Sequence, residues 1–162
     1  MEQGKDSGES AANGKDTMKT LGIIGGMSPE STVSYYQMIN REVNRRLGGN
    51  SSADMLMHSV NFETIAALQR EGKWAQAGEV LAQSALKLER MGAQAIVLAT
   101  NTMHKVAPAI EAVIKIPLIH VVDATANAIR EQGLQQVALL GTRFTMSDGF
   151  YRERMQSFGV QT

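Results

Sequence analysis

The sequence predicts an α/β fold in which a parallel sheet is flanked by helices. Short apolar segments alternate along the chain with longer segments of helical periodicity. Most of the apolar segments run directly into glycine or a polar turn, which is the punctuation expected between a strand and a helix. This order of elements is typical of parallel sheets that carry helices on both faces.

Five segments are predicted as strands because each is short and apolar. In chain order they are Thr20–Ile24, Met55–Val60, Ala95–Ala99, Pro117–Val121 and Gln136–Leu140. The third segment is apolar throughout, which suits a strand that is buried on both faces of a sheet.

Helices are predicted from apolar residues at helical spacing and from residues typical of helix ends. The first begins with Ser28 at the cap and Pro29 at the first helical position. It runs to about Leu47, with Val33, Tyr36, Val43 and Leu47 on one face. The next two helices are Phe62–Arg70 and Trp74 to Met91. A further helix ends near Ile114, and Pro108 either kinks it or begins it. The last two are a helix capped by Asp123 and ended by Gly133, and a helix opened by Ser147 and Asp148 and ended by Gly159.

Three regions are expected along the chain. Residues 1–17 are rich in glycine, serine and charged residues and are expected to form a disordered tail or leader. Residues 18–121 are expected to form a first α/β domain. Residues 122–162 are expected to begin a second α/β domain that is truncated, because the chain stops where another strand is due.

Composition excludes several classes of function. The 16 basic and 16 acidic residues balance, which disfavours nucleic acid or an anionic membrane as a partner. Without a membrane-spanning run or a secretory signal, we expect a cytoplasmic protein. The absence of cysteine excludes disulfides, thiolate metal sites and thiol catalysis by this chain. The three histidines lack the spacing of a local metal motif, so no metal is expected.

Three polar turns are candidates for binding, because ligands of open α/β sheets lie at the carboxyl ends of the strands. They are Gly25–Ser28, Thr100–His104 and Gly141–Thr142. The first turn lacks the phosphate-binding glycine motifs; its glycines either permit a tight turn and close helix packing or present a helix N-terminus to a small anion. The second turn suits a carboxylate through its hydroxyl and amide groups, or it serves ordinary turn and capping chemistry.

Two further groups have both a functional and a structural interpretation. His104 is either a general base or a hydrogen-bonded structural residue. Gln69 and Arg70, at the end of a short helix, either reach a ligand's side-chain carboxylate or are solvated.

At this point four motifs resemble one family. KTLGIIGGMSPEST at Lys19–Thr32 resembles the N-terminal signature of aspartate/glutamate racemases, and IVLATNTMHKVA at Ile96–Ala107 is similar to that family's TNTMH segment. HVVDAT at His120–Thr125 and VALLGTRFTM at Val137–Met146 also fit, so the likeness runs in order over residues 18–162.

The resemblance implies a cofactor-independent amino-acid racemase with two α/β domains. In that family each domain offers one cysteine to a cleft: one thiolate removes the Cα proton and the opposite thiol returns one to the other face. The resemblance implies that neither pyridoxal phosphate nor a metal is used. It also implies that the ligand is a small acidic amino acid. Residue by residue, it places the substrate contacts at Met27, Ser28, Gln69, Thr100, Asn101 and Thr102.

Two departures bear on activity. The family's first cysteine falls at Ala99, whose methyl group cannot transfer a proton, and the second belongs to a segment expected beyond Thr162. Three functions therefore stay open: an inactive or partial racemase, a non-catalytic binding protein for an acidic amino acid or dicarboxylate, and a different enzyme that uses His104 as base. We also expect a homo-oligomer, because the missing second domain leaves an apolar face uncovered.

Overall fold

The sheet is parallel and contains four strands in the order β2–β1–β3–β4. The computed structural model describes residues 18–162, so the tail predicted over residues 1–17 lies outside the described residues. No helix of the described part is long and apolar enough to cross a membrane. The strands are β1 (Leu21–Gly25), β2 (Met55–Ser59), β3 (Ala95–Leu98) and β4 (Leu118–Ile119).

Helices flank this sheet as the sequence predicts. The helix predicted over Phe62–Arg70 is confirmed at both ends, and Pro108 lies in the first turn of a regular helix, which confirms that it begins one. The α-helices are α1 (Pro29–Leu47), α2 (Phe62–Arg70), α3 (Trp74–Arg90), α4 (Ala107–Glu111), α5 (Val121–Glu131), α6 (Arg143–Ser147) and α7 (Gly149–Ser157), with a 3₁₀ helix at Thr102–Val106.

The main core lies between the sheet and α3. Ile24, Ile96 and Leu98 are buried on one face of the strands and pack with Leu81 and Leu88 of α3. Burial of side chains of this size stabilises the fold by about 1.5–3 kcal/mol each. The core therefore fixes β1 and β3 side by side, and the turns that follow these two strands are held close together at one edge of the sheet.

A second group of buried side chains joins α5, α7 and the segment after α7. It consists of Val122, Ala126, Tyr151, Met155 and Val160.

The strand predicted over Gln136–Leu140 is wrong, because only an isolated parallel bridge joins Gln136 to Gln161. A strand needs a neighbour that pairs with its N–H and C=O groups along its length, and a single bridge does not supply one. The predicted domain boundary between residues 121 and 122 stays a prediction.

One helix end also differs from the prediction, and one short helix was not predicted. His120 rather than Asp123 caps α5, since its Nδ1 accepts a hydrogen bond from the Val122 N–H at 3.2 Å. Asp123 lies in the first turn and is bound by Arg154 at 2.5 Å. The last helix begins after Asp148 as predicted, because Asp148 has extended backbone angles of φ −79° and ψ 136° and precedes α7. The short helix α6 that ends at Ser147 was not predicted.

The predicted apolar face of α1 is largely exposed. Val33, Tyr36 and Leu47 are 53%, 51% and 63% exposed, and Thr32 is the buried residue of this helix. Thr32 packs directly on Gly25, so α1 approaches the sheet through its first turn. The rest of the helix presents apolar side chains to solvent.

Candidate functional site

A cavity of about 630 Å³ lies at the carboxyl ends of β1 and β3, within the usual size of a small-molecule site. One wall comes from the turns after these strands, and the opposite wall comes from Leu139–Thr145 and Tyr151. The structure brings together all six residues predicted as substrate contacts; that role stays a prediction. They are Met27, Ser28, Gln69, Thr100, Asn101 and Thr102.

The glycines of the first turn serve close packing. A Cβ at Gly25 would collide with Thr32, and one at Gly26, which has φ +90°, would collide with the Val60 carbonyl. The Gly26 N–H donates to Thr32 Oγ1 at 2.8 Å. The interpretation that these glycines permit a tight turn and close helix packing is therefore confirmed.

Ser28 is engaged by the chain at the start of α1. Its hydroxyl oxygen accepts a hydrogen bond from the Ser31 N–H at 3.4 Å. Ser28 also holds the pKa of Glu30 below its usual range by a side-chain hydrogen bond. An anion at this helix end would meet a capped terminus and a carboxylate, so the structure does not favour the small-anion interpretation here.

The turn after β3 is differently arranged. Asn101 is exposed, lines the cavity and makes no side-chain capping bond to the 3₁₀ helix that follows. The Thr100 N–H is already used, because it donates to the Leu98 carbonyl at 2.8 Å. Capping does not account for the Asn101 amide, which leaves it free to donate to or accept from a ligand.

Three threonine hydroxyls join the two walls of the cavity. Thr102 Oγ1 lies 3.2 Å from Thr142 Oγ1 and 3.3 Å from Thr145 Oγ1. Thr142 and Thr145 are themselves 3.2 Å apart. This hydroxyl triangle places the third polar turn, at Gly141–Thr142, against the second and makes both part of one site.

The cavity lining favours an anionic ligand. Within residues 18–162, Arg143 is the one charged side chain that lines the cavity, and no aspartate or glutamate of that range lines it. Burial, with a smaller contribution from Tyr151, raises the pKa of the Tyr35 phenol. Tyr35 therefore keeps its proton at neutral pH and can donate a hydrogen bond. A positive charge and neutral donors together suit a carboxylate.

Comparison with known proteins identifies the family. The Asp/Glu/hydantoin racemase family matches residues 24–162, which include both walls of the cavity. The chain belongs to this racemase family.

Solved relatives share the fold. A proposed Asp/Glu racemase from Yersinia pestis has a TM-score of 0.86 at 50% identity, covering 89% of this chain and 63% of that one. An aspartate racemase homologue from Pyrococcus horikoshii has a TM-score of 0.77 at 34% identity, with the same two coverages. The chain is also 25% identical over 144 residues to the broad specificity amino-acid racemase RacX of Bacillus subtilis, covering 87% of this chain. It spans 62% of the length of that curated relative.

Ala99 directly follows β3 of this racemase-family chain but does not line the cavity. It is 0% exposed. Its N–H donates to the Ile24 carbonyl at 2.9 Å, and its carbonyl accepts from Ser31 Oγ at 3.0 Å. Position 99 is thus fixed from both sides, one residue before the polar turn.

Only one of the two predicted residues at the end of α2 reaches the site. The Gln69 amide lines the cavity and donates to the sulfur of Met103 at 2.8 Å. Arg70 instead pairs with Glu63 at 2.5 Å on the surface. The solvated interpretation therefore holds for Arg70.

His104 lies outside the cavity and faces another histidine. Its ring centroid is 4.4 Å from that of His120, and the two residues are 2% and 3% exposed. His104 Nε2 accepts from the Val121 N–H at 3.2 Å. Burial lowers the pKa of both histidines to about 4. His104 is a structural residue, and a general-base role at the cavity does not fit its position.

No group of three or more histidine, cysteine, aspartate or glutamate residues that could hold a metal occurs in residues 18–162.

Sequence reasoning missed several residues that line the cavity. Tyr151 belongs to a helix from the far end of the chain, and only the tertiary fold brings it to the cavity. Ser31 and Tyr35 lie three and seven residues after Ser28, and that helical spacing was the available signal. The missed lining residues are Ser31, Tyr35, Phe62, Met103, Leu139, Leu140, Arg143, Phe144, Thr145 and Tyr151.

Proposed function

We propose that this chain binds an acidic amino acid or a related dicarboxylate and does not racemise it by itself. The observation that carries the proposal is the convergence of the Thr100–Thr102 turn, Gln69 and the threonines of the opposite wall on one cavity without an acidic residue. A carboxylate placed at that turn would exchange its hydrogen bonds to water for hydrogen bonds to hydroxyl and amide groups that are already positioned.

Catalysis in the family, as the resemblance implies, uses two thiols on opposite faces of Cα and no cofactor. The sequence contains no cysteine, and the first thiol position corresponds to Ala99. A general acid or base contributes about 10²–10⁴-fold to such a reaction, so loss of both leaves little acceleration. The family reaction that corresponds to this binding site is therefore the interconversion of L- and D-aspartate or glutamate. The chain alone does not carry out this reaction.

The non-catalytic binding role follows from the same geometry. Asn101 and the three threonine hydroxyls remain able to hold a ligand when no thiol is present. Assembly as a homo-oligomer and a location in the cytoplasm stay predictions of this proposal.

Two measurements on the purified chain test it. Calorimetric titration with the L and D forms of aspartate and glutamate should give saturable heat. Asn101→Ala should weaken the affinity at least about threefold, which corresponds to the loss of a modest hydrogen bond. Asn127→Ala, at an exposed position on α5 outside the cavity, is the matched control. Deuterium uptake at Cα, followed by NMR, should stay at the rate without protein. Absence of binding would refute the ligand, and protein-dependent uptake would refute the inactivity.

A further inference from the structure

The one charged side chain of the cavity lacks an ionic partner. Arg143 is exposed and forms no ion pair with any acidic residue of the described chain. Two other cations differ in this respect: Lys105 is paired with Asp148 at 2.9 Å and Arg154 with Asp123. Arg143 is therefore available to a ligand, whereas the other two cations are committed to the fold.

Its position relates it to the polar turn on the opposite wall. Arg143 directly follows Thr142, whose hydroxyl lies 3.2 Å from that of Thr102. The Arg143 guanidinium carbon lies 5.6 Å from the centre of the Phe144 ring, and both residues line the cavity. Arg143 and the Thr100–Thr102 turn thus line the same cavity.

We propose that Arg143 selects ligands that carry a second carboxylate. This inference rests on the proposed function, in which the Thr100–Thr102 turn holds the first carboxylate. Guanidinium presents a planar pair of N–H donors that matches a carboxylate. Because no acidic side chain lines the cavity, the charge of Arg143 is compensated there only when such a group is bound. Arg143 is accordingly a specificity residue and takes no part in proton transfer.

The test compares L-aspartate with L-asparagine, which has nearly the same size but a neutral side chain. The chain should bind aspartate at least about tenfold more tightly. Arg143→Gln should bring the ratio of the two dissociation constants close to one by weakening aspartate alone, and Arg143→Lys should retain part of the preference. Arg152→Gln makes the same change in net charge at an exposed position of α7 outside the cavity, and it should leave the ratio unchanged.

Separate outcomes distinguish this inference from the function on which it rests. A preference for aspartate that survives Arg143→Gln would overturn the role of Arg143 and leave the binding site intact. Equal binding of the two ligands by the unmodified chain would do the same. Failure of the unmodified chain to bind either ligand would overturn the proposed function as well. The NMR signal of the Arg143 Nε–H group provides a readout without substitution: it should move with aspartate and not with asparagine, and an unchanged signal at saturating aspartate would contradict the proposal.

Discussion

The hydroxyl of Ser31 donates a hydrogen bond to the backbone carbonyl of Ala99 at 3.0 Å. This bond joins the first turn of α1 to the last residue before the Thr100–Thr102 turn. It therefore couples the position of the helix to the geometry of the candidate site.

Ser31→Ala should lower the free energy of unfolding by about 1 kcal/mol, because it leaves the Ala99 carbonyl without this partner. Ligand affinity should fall as well, since the turn that follows loses a support. Urea denaturation and calorimetry measure the two effects. Ser34→Ala is the matched control, because its hydroxyl bonds only to the Glu30 carbonyl within the exposed part of α1. Equal effects of the two substitutions would contradict the coupling.

Ala99→Cys should fold and should still not racemise aspartate. The added sulfur lies at a position that is 0% exposed, and the opposing proton donor would still be missing. Cα deuterium exchange tests this directly. A fusion of the Ala99→Cys chain to the second domain of a racemase relative should gain activity, whereas the same fusion with Ala99 should not. Activity of both fusions would mean that the residue at position 99 is not a proton carrier.

Acid should destabilise the chain through His104 and His120. Their pKa values are lowered from 6.5 to about 4, mainly by burial. Between these values the unfolded chain binds protons that the folded chain does not, so stability falls as the pH drops from about 6.5 to about 4 and levels off for these groups below that range. Arg154 reinforces the low pKa of His120, while Asp123 opposes it.

Urea denaturation at pH 7.5 and 5.0 measures this loss, which should be on the order of 2 kcal/mol for each ring. His120→Asn keeps an acceptor for the Val122 N–H and removes one titrating group. The variant should therefore lose less stability on acidification than the unmodified chain. An identical pH dependence would show that other groups govern it.

The chain should associate through the apolar side chains of α1. Val33 and Tyr36 are more than half exposed there, and contiguous patches of this kind are typical of interfaces. Sedimentation velocity should show a coefficient that rises with concentration, and Tyr36→Glu should reduce the rise. Gln37→Glu introduces the same charge at an exposed polar position of α1 and should have little effect. A monomer at all concentrations would refute this prediction.

Amide hydrogen exchange should separate the sheet from the segment before α6. β1 pairs on both sides, with β2 and β3, whereas Gln136–Leu140 has a single bridge. The amides of Ile23 and Ile24 should therefore exchange far more slowly than those of Leu139 and Leu140. Similar protection in both segments would indicate pairing that the isolated bridge does not provide.

The elements of residues 18–119 were largely predictable because local signals agree with the tertiary fold. Ser28 and Pro29 mark the start of α1, and the apolar run before Thr100 marks β3. The failures occur where pairing or capping depends on distant residues. Gln136–Leu140 has the composition of a strand but no neighbouring strand, and His120 takes the cap position that the carboxylate of Asp123 suggested.

The candidate site was predictable in part for the same reason. The Thr100–Thr102 turn follows a strand directly, so its place at the sheet edge follows from the chain alone. Tyr151 is held by packing between α5 and α7, and Arg143 follows Thr142, whose hydroxyl contacts that of Thr102. No local pattern distinguishes Arg143 from the other surface arginines.

The hydroxyl triangle of Thr102, Thr142 and Thr145 has a property that fixed donors lack. Each hydroxyl carries one proton and can both give and accept a bond, so the three bonds can circulate in either of two senses around the ring. A negative group that arrives at one corner can accept a hydrogen bond from that hydroxyl, while the other two hydroxyls rotate and still donate within the triangle. The wall of the cavity can thus reorient its hydroxyl protons toward a ligand without moving a heavy atom.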